Sequence, residues 1–194
     1  MKTIKGKTST FSAKSLIIIL LMSILIGIIL DAALTFIEKK LYPRKYTEYV
    51  EKYSDAYGVP EDIIYAVIRT ESSFDKNAIS SASTPAHGLM QLTEETYFWI
   101  AEMLGENPSA FDIYDPETNI KYGVYYLSFL YNRYKIWDTA FAAYNAGPGN
   151  VDKWLEDSNI SDGEGSLTSI PFKETRNYVK KVNRSTQKYD KLYY

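Results

Sequence analysis

The chain has 194 residues, 45% of them hydrophobic, with 22 Lys and Arg against 24 Asp and Glu, which suits one medium packed domain plus an appendage. It has no cysteine and a single histidine, His87, so disulfides, thiolate catalysis, cysteine-based zinc sites and histidine-rich metal clusters are excluded. Residues 38 to 194 hold 18 basic and 23 acidic side chains, a balance that argues against a nucleic-acid partner. With only oxygen ligands left and no acidic run at calcium-loop spacing, neither a metal nor a cofactor is expected. His87 reads as a loop residue, and no G-x-S-x-G elbow accompanies it to suggest a serine triad.

The first element is a membrane signal. Lys2, Lys5, Lys7 and Lys14 precede an aliphatic run from Leu16 to Leu30, and apolar character resumes after Asp31 as far as Ile37. Leu16 to Ile37 as a helix spans roughly 33 Å, about one hydrocarbon core. Two readings compete: a signal anchor or a cleaved signal peptide. Asp31 and Leu30 spoil the small-x-small pattern before Ala33 and Ala32, which favours the anchor. The basic start favours residues 1–15 in the cytoplasm, 16–37 across the membrane and 38–194 outside it. Lys39, Lys40, Arg44 and Lys45 on the far side weaken that orientation.

The remainder reads as helices only. Tyr46, Tyr49, Val50, Tyr53 and Tyr57 keep helical spacing until Gly58, and Pro60 opens the next helix. On it Ile64, Val67, Ile68 and Glu71 fall at i, i+3, i+4 and i+7, so a carboxylate continues an apolar stripe. Burial of such a group raises its pKa and can make it a general acid. The competing reading places Glu71 at the exposed edge of the stripe. Residues 75 to 93 read as loop. Thr93 and Asp115 are expected caps for helices carrying Tyr97, Phe98, Ala101 and Leu104, then Ile120, Val124, Leu127, Leu130 and Tyr134. Asp138 is expected to cap a short helix, Thr139 to Asn145, ended by Gly147-Pro148. Residues 158 to 169 read as a polar, mobile loop, and Pro171 opens a last helix carrying Thr175, Tyr178, Val179 and Val182.

Four pieces stand out: Glu71-Ser72-Ser73-Phe74, Gly88-Leu89-Met90-Gln91-Leu92, Ala143 to Gly149 (AYNAGPG), and Pro171 to Val179 (PFKETRNYV). In this order they closely resemble the catalytic domain of soluble lytic transglycosylases, the family 23 glycoside hydrolases. The resemblance covers about residues 45 to 185. It implies an all-α, lysozyme-like domain that cleaves the MurNAc-β-1,4-GlcNAc bond of peptidoglycan glycan strands. It also implies that Glu71 is both acid and base and that the muramic acid's own 6-hydroxyl closes a 1,6-anhydro sugar. By position it gives substrate contacts to Ser80, Met90, Gln91, Tyr144 and Asn145, and places Tyr178 against the catalytic carboxylate. Packing is the simpler reading of Met90, and Gln91, Tyr144 and Tyr178 also fit as satisfied core polar groups. The segment between Ser80 and Gly88 departs from the family pattern: it is about two residues longer, with Pro85 where glycine is usual. A goose-lysozyme-like hydrolase and an inactive wall-binding protein are the rival readings. Nothing in the sequence names a protein partner.

Overall fold

The computed structural model describes residues 12–194, and among them eight α-helices carry the chain. Of the basic segment expected at residues 1–15, residues 1–11 lie outside the described residues. Helix α1, Ala13–Leu41, contains the whole expected span and buries no residue. By length and composition it can cross a membrane. It forms one compact unit and Tyr42–Tyr194 forms the other.

In the second unit, α2 (Thr47–Tyr57) stops at Gly58, which takes φ 68° and donates its N–H to Ser54 O. That left-handed C-cap is the conformation glycine adopts without penalty. Helix α3 (Glu61–Ser72) follows Pro60. Sequence spacing predicts one apolar face for α3, but Ile63, Ile64, Tyr65, Ala66, Val67 and Ile68 are all buried. A helix buried all round is a central helix. Its main partner is α8 (Lys173–Tyr193), whose Thr175, Tyr178, Val179, Val182, Ser185 and Tyr189 form the buried stripe. The other elements are α4 (Glu94–Met103), α5 (Pro116–Tyr134), α6 (Trp137–Ala146) and α7 (Pro148–Glu156). Helix α5 packs on both α2 and α6.

The expected caps at Thr93 and Asp115 are present, their side chains accepting from Thr96 N and Thr118 N. Asp138 lies inside the first turn of α6 rather than capping it, and its Oδ1 accepts from Asn183 Nδ2 on α8 at 2.9 Å. Residues 158–169 form the expected loop, tied by local bonds. Ser161 bridges Leu167, and Asp162 Oδ1 accepts the N–H groups of Glu164 and Ser166 at 2.8 and 2.9 Å. A backbone clasp also joins the two ends of the domain. The hydroxyls of Tyr189 and Tyr193 donate to Pro43 O at 3.0 Å and Tyr42 O at 2.8 Å.

The all-α expectation holds apart from one small antiparallel ladder. β1 (Ala86–His87) pairs with β2 (Leu92–Thr93), Ala86 opposite Thr93 and His87 opposite Leu92. Two-residue strands are too short for alternation to register in a sequence. The tight turn between them is held from below by Asn119, a buried amide on α5. It accepts from Met90 N at 2.8 Å and donates to His87 O at 3.1 Å and Ile113 O at 2.8 Å. Gly88, at φ +77°, leaves the room: a Cβ there would stand 2.4 Å from Asn119 Nδ2. A buried amide with three good hydrogen bonds is costly to remove. Asn119→Ala should therefore lower unfolding free energy by about 2–4 kcal/mol. Gly88→Ala should be destabilising as well, and urea denaturation of both variants measures the two effects.

Candidate active site

Glu71 lies in the last turn of α3, where the helix leaves the core. The chain then turns sharply: Ser73 and Phe74 both take left-handed conformations, φ 52° and 67°. Such φ values are strained for a bulky residue like Phe74, and the surroundings hold them. Ser72 Oγ donates to Ile68 O and Leu89 O at 3.1 and 2.8 Å and accepts from Phe74 N at 3.2 Å. Phe74 itself is buried. The turn thus locks the end of α3, which carries Glu71, to the β1–β2 segment. Strain of this kind gathers at functional sites.

Glu71 keeps one side open to solvent, yet the protein packed around it strips most water from the carboxyl and pushes its pKa up to about 7. Burial is the main cause. The Tyr178 hydroxyl opposes it by favouring the charged form, although it forms no hydrogen bond of regular geometry. Tyr144 and Tyr178 are pushed far above the ordinary tyrosine range, first by burial and then by the neighbouring Glu71 charge. Both phenols therefore stay neutral. No second carboxylate acts on Glu71. Among the described residues, no group of His, Asp and Glu could hold a metal ion.

The other expected site residues fall into two groups. Tyr144 sits beside Glu71 electrostatically, but its hydroxyl proton goes to Met90 O at 2.7 Å. Asn145 lines both of two neighbouring depressions. The β1–β2 segment carries the rest. Ser80 Oγ accepts from Ala86 N at 2.8 Å, and Ser80 N donates to Ala86 O at 3.0 Å. The long segment therefore bulges outward as exposed residues 81–85 above a closed base. Gln91, at φ 50°, folds its amide back to Ala78 O and Gly88 O at 3.1 and 2.9 Å. Met90 is wholly buried and fills the notch left by Gly123, where a Cβ would meet Met90 Sδ at 2.3 Å. Its side chain packs inside and does not wall the cleft.

The larger depression, about 550 Å³, shows what the sequence reading missed. Trp99 of α4 and Tyr126 and Phe129 of α5 give it an aromatic wall, with Arg133 at one edge. Trp99 lies 4.9 Å from Phe129 and 6.0 Å from Tyr126, centroid to centroid. Tyr126, Phe129 and Arg133 recur at i, i+3 and i+7, a second stripe beside the Val124–Leu127–Leu130 core stripe, and that periodicity was the available signal. The second depression, about 540 Å³, lies on the other side of Asn145 and Ala146, against Pro171 to Thr175. The turn between α6 and α7 separates them. Gly147 serves as C-cap of one helix and N-cap of the next at φ 83°, ψ 143°. That conformation favours glycine, and Pro148 then takes a first-turn position.

Because the folded pKa of Glu71 exceeds the unfolded one, the native state binds the extra proton between about pH 4.5 and 7. Stability is therefore lost as pH rises through that window. Glu71→Gln removes the ionisable group. Its Tm should match wild type near pH 4 and exceed it near pH 8, by the equivalent of up to about 3 kcal/mol. Calorimetry of both proteins at the two pH values checks this.

A family model for the Transglycosylase SLT domain matches residues 48–165. The soluble lytic murein transglycosylase of Escherichia coli K12 is 35% identical over 147 residues, 73% of this chain and 22% of that one. The membrane-bound lytic murein transglycosylase C of Pectobacterium atrosepticum is 33% identical over 168 residues, 75% of this chain and 46% of that one. The chain thus spans less than half the length of these relatives. Among solved structures, the 70 kDa soluble lytic transglycosylase of Escherichia coli superposes with a TM-score of 0.69 at 32% identity, covering 79% of this chain and 25% of that one. An inactive glutamate-to-glutamine mutant of the Pseudomonas aeruginosa lytic transglycosylase Slt gives 0.67 at 31% identity, covering 78% and 25%. With a family model matched over more than half of its length and relatives at 33–35% identity, the chain belongs to the transglycosylase SLT domain family.

Proposed function

We propose that this protein is a membrane-anchored lytic transglycosylase that cleaves the MurNAc-β-1,4-GlcNAc bond of peptidoglycan and leaves a 1,6-anhydro-MurNAc end. The observation that carries this is Glu71: a lone carboxyl held near pKa 7 with no second carboxylate acting on it. Most glycosidases divide the work between two carboxylates. Here one group does both halves. Protonated Glu71 gives its proton to the glycosidic oxygen as the bond from C1 breaks, and the GlcNAc leaves as an alcohol. The charge on the muramic ring is met by its own 6-hydroxyl, whose oxygen bonds to C1. The hydroxyl proton returns to the Glu71 carboxylate, so no water is consumed and the acid is regenerated. A pKa near the working pH suits a group that must give and then take a proton.

The surroundings fit these roles. Tyr178 is the buried neutral hydroxyl beside Glu71 and tunes it toward the charged state it occupies after proton transfer. The aromatic wall offers flat apolar surface of the kind that sugar faces stack on. Support for the chemistry also comes from the family: its relatives are named murein transglycosylases, and the Pseudomonas protein is inactivated by a glutamate-to-glutamine change. For the anchor, support comes from α1 and from the membrane-bound relative.

Purified sacculi digested by the full chain in neutral detergent provide the test. Wild type should release anhydro-ended muropeptides, and its rate should fall as pH rises above about 7, where the acid form of Glu71 is lost. Glu71→Gln should lose at least 10²–10⁴-fold in rate, the usual contribution of a general acid. Reducing ends one water heavier would establish the hydrolase instead, and activity in the variant within a tenth of wild type would remove Glu71 from the chemistry.

The anchor makes its own prediction. The full chain should stay in the membrane fraction through high salt and alkaline wash and leave it only in detergent, because an inserted helix is not held by screened charges. Protease added outside wall-less cells should then digest the chain from about residue 40 onward.

A further inference from the structure

The aromatic depression carries one group that stacking on sugar faces does not use, the guanidinium of Arg133 at its edge. Tyr126, on the same helix α5, packs on Tyr144 with ring centroids 5.3 Å apart. Tyr144 in turn is the phenol beside Glu71. Arg133 comes two helical turns after Tyr126, about 10 Å further along α5. The charge therefore stands at the far end of the aromatic wall from Glu71.

Arg133 is held in place. Its Nη2 donates to Asp152 Oδ2 at 2.7 Å, and the Tyr134 hydroxyl donates to Asp152 Oδ1 at 2.9 Å. Asp152 belongs to α7, so its carboxylate ties that helix to the end of α5. Among the described residues, the ion pair of Arg133 is with Asp152 alone, and the arginine side chain stays 47% exposed. A half-exposed pair of this kind adds little to stability. Its larger effect is to aim a rigid fork of five N–H donors. Only one nitrogen of that fork meets Asp152, and the remaining donors suit a planar carboxylate. Glu95 of α4 also lines the depression, exposed and not paired with Arg133.

The chemistry of a glycan strand says which carboxylate that is. Its sugar rings and acetamido groups are uncharged. The carboxylates sit on the peptide stems, which hang from the lactyl groups of the muramic acid rings. A strand lying on the aromatic wall carries its stems off the wall, to the edge where Arg133 stands. We propose that Arg133 is a specificity residue that pairs with a carboxylate of a peptide stem, with Asp152 and Tyr134 as its positioning residues. The inference rests on the reading of this protein as a peptidoglycan lytic transglycosylase and deepens it: the preferred substrate is a strand with charged stems. The contact is remote from the bond that breaks and is made before and during the reaction alike, so it acts on KM and not on kcat.

The test gives the full chain, in neutral detergent, three soluble substrates. They are glycan fragments with intact stems, the same fragments with their stem carboxylates converted to carboxamides, and fragments stripped of stems by an amidase, which keep only the lactyl carboxylate. Wild type should show a KM about fivefold lower for intact than for carboxamide fragments, the upper worth of one exposed charge pair. Arg133→Gln should raise the KM for intact fragments by that factor and bring the two values together, while keeping the wild-type circular dichroism melt. Arg133→Lys should restore part of the difference, and added salt should narrow it in wild type. Equal KM values for the two stem-bearing substrates in wild type, or a preference that survives Arg133→Gln, overturns the proposal. An Arg133-dependent preference for the stripped fragments over the intact ones gives the partner as the lactyl carboxylate and overturns the stem assignment. Absence of anhydro ends from all three substrates overturns the underlying reaction, and it is read from product mass and not from KM.

Discussion

The desolvation of one carboxyl organises this domain. An ionised carboxylate out of water is unfavourable, so the fold must hold Glu71 where it is and give it a use for its proton. It does so by making α3 the central helix. Six consecutive residues of that helix are buried, and the packing of α8 along it brings Tyr178 to the carboxyl. Burial raises the pKa of Glu71 without a neighbouring negative charge, and the phenols of Tyr144 and Tyr178 beside it stay neutral. A second carboxylate would raise it too, but by repulsion, and would then compete for the proton.

The supporting structure is polar and almost wholly satisfied. Ser72, Gln91 and Tyr144 spend their hydrogen bonds on backbone groups of the segment from Ala78 to Met90 or on the end of α3, and Asn119 joins two groups of that segment to Ile113 O. None of these bonds is large alone, but they converge on one turn, and a side chain with two or three partners, such as Asn119 or Gln91, cannot rotate without losing them together. Tyr144 illustrates the outcome. Its proton is committed to Met90 O, so toward a substrate it can only accept.

Much of this was legible in the chain. The stripe ending in Glu71, the caps at Thr93 and Asp115 and the Gly147-Pro148 break all follow from local rules, because each is decided within one or two helical turns. What escaped needs more than one element. Asn119 looks like any polar residue on a helix until Met90 N, His87 O and Ile113 O arrive around it. The two-residue strands have no period to read. That Met90 packs was the simpler reading, but its partner could not be read: the missing side chain at Gly123, 33 positions away, makes the room for it. The aromatic wall was missed because the core stripe of α5 is the stronger signal and hides the one beside it.

The clasp of Tyr189 and Tyr193 onto Pro43 and Tyr42 has a mechanical consequence. Any tension between α1 and the domain enters at Tyr42. There it meets hydrogen bonds from residues 146 and 151 positions further along the chain. The load passes directly into α8, and from α8 into α3 through their shared core. A pull on the start of the domain is thus shared at once with its last helix and does not fall on residues 42 to 46 alone.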